Sequence, residues 1–165
     1  MRAIWISLIL IMIVFKSFGQ SISDSAFDLM LDGLLANSVE MVNVDSIENS
    51  DGVVWLDCRE KKEFDVSHLK SAKWVGYDDF DIERLNGFDK DANIIVYCSV
   101  GYRSEKVGEK LESAGFKNVK NLYGGIFSWK NDEKPVYDSL GNETENVHAY
   151  NRIWGVWLKK GKKVY

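Results

Sequence analysis

Between Ile22 and Leu35 the apolar positions Ile22, Ala26, Phe27, Met30, Leu31, Leu34 and Leu35 recur every three or four residues, behind Ser and Asp residues able to cap. That spacing predicts an amphipathic helix. The pattern then changes. Gly52-Val53-Val54-Trp55-Leu56 and Asn93-Ile94-Ile95-Val96-Tyr97 are short, unbroken apolar runs introduced by Asp, Asn or Gly, as expected for strands buried on both faces. Met41 to Val44, Ala72 to Val75 and Asn118 to Leu122 are shorter strand candidates; the last follows Gly115, placed to stop a helix. Helical patterns fill the intervals at Lys61 to Val66, Ile82 to Leu85, Arg103 to Ala114 and Gly125 to Lys130. Strands alternating with helices predict an α/β layer structure around a parallel sheet. The sole proline, Pro135, follows the last of these helices, so the core is expected to close near Val136.

The two ends of the 165-residue chain read differently from the middle. Arg2 precedes an apolar stretch from Ala3 to Phe15 broken only by Ser7, and small residues follow at Ser17 and Gly19. This is the form of a secretory signal peptide over residues 1–19, too short to cross a bilayer as an anchor. The expected mature chain is a single domain over 20–165, exported to a periplasmic or secreted location without stable membrane insertion. At the other end, residues 142–165 hold Tyr150, Trp154 and Trp157 and then Lys159, Lys160, Lys162 and Lys163. An aromatic segment laid on the domain with a solvated lysine end is expected there.

Composition narrows the chemistry. Lys and Arg number 21 against 25 Asp and Glu, a formal net charge of −4, and no half of the chain carries a basic block. A nucleic-acid partner, which needs several phosphates neutralised, is therefore not expected. Two cysteines and two histidines exclude a disulfide scaffold and a Cys/His zinc cluster, and no metal site is expected.

The candidate chemistry sits at Cys98, where the strongest strand candidate runs into Ser99-Val100-Gly101-Tyr102-Arg103-Ser104 and then a helix. Ligands bind at that edge of open α/β sheets. A loop entering a helix N-terminus presents free N–H groups and the positive end of the dipole, which stabilise a thiolate or an anion attached to it. Gly101 lets the loop curl, and Arg103 adds a fixed positive charge.

Tyr97-Cys98-Ser99-Val100-Gly101-Tyr102-Arg103-Ser104 resembles the active-site loop of rhodanese-like sulfurtransferase domains. Leu56-Asp57-Cys58-Arg59-Glu60 through Glu63-Phe64, then His68-Leu69 and Ala72, agrees with that family in order and spacing. So does Gly115-Phe116-Lys117-Asn118-Val119 through Leu122-Tyr123-Gly124-Gly125-Ile126 and Trp129, ending in Pro135-Val136. Together these segments span about 40–136. The resemblance implies a rhodanese-like α/β fold, a five-stranded parallel sheet flanked by helices on both faces. It also implies a thiosulfate-sulfurtransferase type of enzyme in which Cys98 carries sulfur as a persulfide from a small sulfane-sulfur donor to a thiol or cyanide acceptor, without cofactor. Residues 99–104 would bind substrate and persulfide. Some relatives place a basic residue directly after the cysteine; this chain has Ser99, which favours a persulfide or polysulfide donor over dianionic thiosulfate.

Two other functions share this loop. A non-enzymatic persulfide- or thiol-binding or redox module would hold sulfur without turnover. A fold-related phosphatase would need a longer loop, because only Ser99 to Tyr102 separate Cys98 from Arg103, one residue fewer than phosphate requires. Supporting roles stay open at four positions. Asp57 and Arg59 either orient the loop or serve structure, Arg59 pairing with Glu63 four residues on. His68 is a base or, more simply, a packing residue; Cys58 is a core filler or a resolving thiol for Cys98.

Overall fold

A computed structural model describes residues 25–47 and 50–165. The expected signal peptide, 1–19, and the first turn of the expected helix lie outside the described residues. The chain divides into two units, one ending at Leu34 and one from Leu35 to Tyr165. In the first, residues 25–34 are helical (α1), inside the predicted 22–35. Among the described residues no helix is long and apolar enough to cross a membrane.

The second unit holds a five-stranded, all-parallel sheet: β1 (Glu40–Val42), β2 (Val53–Asp57), β3 (Lys73–Trp74), β4 (Asn93–Tyr97) and β5 (Asn118–Leu122), in the spatial order β1-β5-β4-β2-β3. The helices that return the chain are α2 (Lys61–Val66), α3 (Tyr102–Ser113) and α4 (Gly125–Asn131). Central β4 is apolar on both sides, as a covered parallel strand must be. Ile94, Val96 and Cys98 face one layer with Leu56, Cys58, Val75, Val107, Leu111 and Phe116. On the opposite face Trp55 lies edge-on to Tyr97 and to Trp129 of α4, with ring centroids 6.4 and 5.4 Å apart. Helices therefore flank both faces, in the predicted class.

Three expectations shift in detail. The strand expected over Met41 to Val44 is Glu40–Val42, and Val44–Ser46 forms a 3-10 turn. The helical pattern at Ile82 to Leu85 is also a single 3-10 turn, capped by Asp81, whose carboxylate accepts from Glu83 N–H at 3.0 Å. The core does not close at Val136. β6 (Val136–Tyr137) pairs with β7 (Glu143–Thr144), and β8 (Asn146–His148) pairs with β9 (Lys162–Val164). Val147, Ala149 and Leu158 are fully buried, while the lysines at 159, 160, 162 and 163 are exposed as expected. The aromatic tail is thus a built part of the domain.

At the C-terminal edge of β2 a buried ion pair fixes the chain. Arg59 grips Asp57 through Nε at 3.0 Å and Nη2 at 2.6 Å, and its Nη2 also donates to the Ser67 carbonyl beyond α2 at 2.6 Å. Neither side chain has any exposed surface. Burial opposes the guanidinium charge, yet Asp57 beside it holds the proton more tightly than an ordinary arginine. Tyr97 lies under the guanidinium and accepts the Leu69 N–H at 3.1 Å. The expected Arg59–Glu63 pair is replaced by Arg59–Asp57, because Asp57 reaches Arg59 across the tight turn that ends β2, where its Oδ1 also accepts the Arg59 N–H at 2.9 Å.

Arg59→Ala strands the Asp57 carboxylate in the core, and its cost in a urea titration is expected at about 3–5 kcal/mol. Asp57→Leu combined with Arg59→Met removes both charges, and is expected to cost less than either single truncation.

Candidate active site

β4 delivers Cys98 to the C-terminal edge of the sheet, and the chain turns at once into α3. Gly101 caps that helix with φ 109°, a left-handed conformation that favours glycine. The Gly101 N–H donates to Cys98 Sγ at 3.1 Å. Sulfur therefore sits against a backbone amide at the positive end of a twelve-residue helix. The thiol is 1% exposed.

What aims the loop is the treatment of its carbonyls. Cys98 C=O accepts from Ile126 N–H at 2.9 Å and Ser99 C=O from Phe127 N–H at 3.1 Å, both in the first turn of α4. Gly101 C=O accepts three donors: Ser104 Oγ at 3.1 Å, Asn121 Nδ2 at 2.9 Å and Glu105 N–H at 3.0 Å. In a trans peptide C=O and N–H point in opposite directions. The N–H groups of Ser99, Val100 and Tyr102 are consequently turned away from α4 and Asn121. The approach of α4 requires glycine at its start: a Cβ on Gly125 would lie 2.3 Å from the Cys98 carbonyl oxygen, and Gly125 has φ 56°.

Arg103 leaves the first turn of α3 and meets Glu63 of α2. Nη1 donates to Oε2 at 2.7 Å, and Nη2 donates to Oε1 at 2.9 Å and to Ser99 Oγ at 3.0 Å. Ser99 Oγ donates in turn to Glu63 Oε1 at 3.2 Å. Glu63 has no exposed side-chain surface, and its Oε2 also accepts Glu60 N–H in a capping box that starts α2. Burial works against the Glu63 charge, but the Arg103 bonds outweigh it and hold the carboxyl below its usual range.

The predicted loop residues take different places. Cys98, Ser99, Gly101 and Arg103 converge. Ser104 points to Gly101 C=O and to Asn121 Oδ1, at 2.7 Å, as a brace. Val100 is buried, and the Tyr102 ring stands in solvent, 42% exposed. Asp57 and Arg59 form the buried pair described above, one strand away from β4. His68 stacks on Phe64, centroids 4.0 Å apart, with Nδ1 on the Phe64 carbonyl at 3.1 Å. Cys58 is a free, fully buried thiol in the α3-side core, and burial pushes its pKa up, keeping it neutral. Cys98 is likewise free.

Residues outside the predicted site also contribute. Glu63 was visible as a local partner for Arg59 and within a family-like segment, and Asn121 only as a strand residue. From the tail, the Tyr150 ring lies over the Arg103 guanidinium at 5.1 Å.

The fold and loop define an α/β domain with a cysteine loop at the C-terminal edge of its parallel sheet, the sulfur accepting a backbone N–H. The rhodanese-like domain family matches residues 43–132, more than half of the chain, and the protein belongs to that family. A tRNA uridine(34) hydroxylase of Photorhabdus laumondii is 33% identical over 113 residues, covering 66% of this chain and 31% of that protein. The chain thus spans about a third of the length of that curated relative. Among solved structures, the rhodanese-like domain from Anabaena superposes with a TM-score of 0.55 at 22% identity, covering 59% of this chain and 78% of that one. The thiosulfate sulfurtransferase from Pseudomonas aeruginosa gives 0.55 at 20% identity, covering 61% and 20% respectively. These structural likenesses establish the fold.

Because the Glu63 carboxyl lies below its ordinary value of 4.5, the folded state binds fewer protons than the unfolded chain near that pH. Its stabilising contribution is full above about pH 4.5 and is lost as pH falls through the lowered value. Glu63→Gln is expected to cost about 3–5 kcal/mol at pH 7 by removing the nearer counter-charge of Arg103, with only Glu60 left at 3.9 Å, and to flatten the acid limb of a melting-temperature profile.

Proposed function

We propose that this domain transfers sulfane sulfur through a persulfide on Cys98. The observation that carries the reading is the Gly101 N–H on Cys98 Sγ at the start of α3, in a loop whose carbonyls are drawn off by α4 and Asn121. The Cys98 thiolate attacks the outer sulfur of the donor; the S–S bond or, in thiosulfate, the bond to the sulfonyl sulfur breaks, and a thiolate or sulfite leaves with the electron pair. The product is Cys98–S–S⁻. An acceptor thiolate or cyanide then attacks the outer sulfur, and Cys98 leaves as thiolate. On the enzyme the negative charge resides on sulfur, as Cys98 thiolate and then as Cys98–S–S⁻, where fixed amide dipoles stabilise it without reorganisation. Two half-reactions through one covalent intermediate give ping-pong kinetics.

The surroundings favour a persulfide or polysulfide donor. Arg103, the loop's only cation, is consumed edge-on by Glu63 and Ser99, and the residue after the cysteine is neutral Ser99. A sulfonate dianion therefore meets only an arginine already paired with a carboxylate. The relative's name refers to a tRNA, but this chain matches under a third of that protein and has a net charge of −4. Small sulfur compounds suit it better than a polyanion. With the signal-like segment at 1–19, we place this activity outside the cytoplasm.

The test is thiocyanate formation from cyanide with thiosulfate and with inorganic polysulfide, for wild type and Cys98→Ser, alongside intact-mass measurement of the loaded protein. Turnover with polysulfide, a fall of about 10³-fold or more on substitution and a one-sulfur mass increment on Cys98 are expected. Equal rates in both proteins would refute the enzyme. A stable increment without turnover would instead identify a sulfur-holding module.

A further inference from the structure

The family match ends at residue 132, but the chain beyond it is stapled to the domain that carries the loop. Asn131 Nδ2 donates to Trp157 C=O at 2.9 Å, and Asn131 Oδ1 accepts from Lys159 N–H at 2.6 Å. Lys130 pairs with Glu145 at 2.7 Å. β8 packs along α2, the helix that carries Glu63, and is held in place by its pairing with β9. At the end of β8 the backbone of Tyr150 takes φ 61°, a conformation a tyrosine rarely adopts, and its N–H donates to His148 Nδ1 at 3.1 Å. That turn brings the Tyr150 ring to Arg103, whose guanidinium carbon lies over the ring, 5.1 Å from its centroid.

A guanidinium can meet an anion through its N–H edges or attract it electrostatically across its faces. Here three of the five N–H groups are spent on Glu63 and Ser99, Glu60 Oε1 lies 3.9 Å from Nη1, and the Tyr150 ring stands against the guanidinium, leaving the Arg103 side chain 14% exposed. The contact comes from outside the family-matched residues 43–132. We propose that Tyr150 is a specificity-determining residue: by screening Arg103 it turns the site against dianionic donors such as thiosulfate and toward persulfide and polysulfide sulfur. This rests on the sulfur-transfer reading above and goes beyond it by assigning the choice of donor to the tail.

The experiment compares kcat/KM for thiosulfate and for inorganic polysulfide, with cyanide as acceptor, in full-length wild type, Tyr150→Phe, Tyr150→Leu and Tyr150→Ala. Circular dichroism and melting temperature report whether each variant is folded. The thiosulfate-to-polysulfide ratio is expected to rise about 3- to 10-fold in Tyr150→Ala and Tyr150→Leu, mainly through a lower KM for thiosulfate, and to stay at the wild-type value in Tyr150→Phe, which keeps the ring. An unchanged ratio in the folded Ala or Leu variant overturns the proposal. So does a rise in Tyr150→Phe as large as in Ala, which would put the effect on the hydroxyl. Should Ala fail to fold, Leu decides, since it keeps apolar bulk without a π face. A wild type inactive with both donors refutes the sulfur-transfer reading itself, an outcome distinct from an active wild type whose ratio ignores Tyr150.

Discussion

One carboxylate without exposed surface, Glu63, ties helix α2 to the cysteine loop. It starts α2 by accepting Glu60 N–H, and it anchors α3 by taking two edges of Arg103. A buried charge is tolerated only when its hydrogen-bonding capacity is met, and here the bonds that meet it come from both elements that border the site. Moving either helix would strand the carboxylate. The position of Ser99, which bonds to both members of the pair, follows from that constraint.

The same pair changes how the loop holds charge. If Arg103 were free, it would offer a strong, unscreened attraction to any anion on sulfur. Neutralised by Glu63, it leaves stabilisation to peptide dipoles whose orientation is set from behind, through the carbonyls of Cys98, Ser99 and Gly101. In the proposed sulfur transfer, dipoles fixed by α4 and Asn121 would need no rearrangement as charge moved between donor, Cys98 and acceptor.

Much of this was legible in the sequence. Unbroken apolar runs gave away β2 and β4 because strands covered on both faces have no polar side to show, and the turn from Tyr97 into Gly101 and Arg103 marked the loop. What stayed hidden depends on approaches between segments distant in sequence. Glu63 and Arg103 are 40 positions apart, and the local four-residue spacing to Arg59 pointed to the wrong partner. Gly125 showed in the sequence as the start of a helical pattern; its constraint, contact with the Cys98 carbonyl, exists only once α4 packs against the loop. The tail was hardest, since the buried Val147, Ala149 and Leu158 are spread among polar and exposed residues, too sparse a pattern to announce a core.

That tail alters the meaning of the missing basic residue after Cys98. Taken alone, Ser99 looks like a weakened thiosulfate site. With Glu63 bonded to both terminal nitrogens of Arg103 and Tyr150 standing against the guanidinium, three features from three parts of the chain would, in the proposed site, act in one direction, each reducing the positive field offered to an incoming dianion. The cost of that arrangement is weaker capture of the donor. For the proposed sulfur transfer, the gain would be that the outer sulfur of a Cys98 persulfide, held by dipoles and not gripped by a full charge, is easy to hand on: stabilising the intermediate as strongly as the transition state would slow its release.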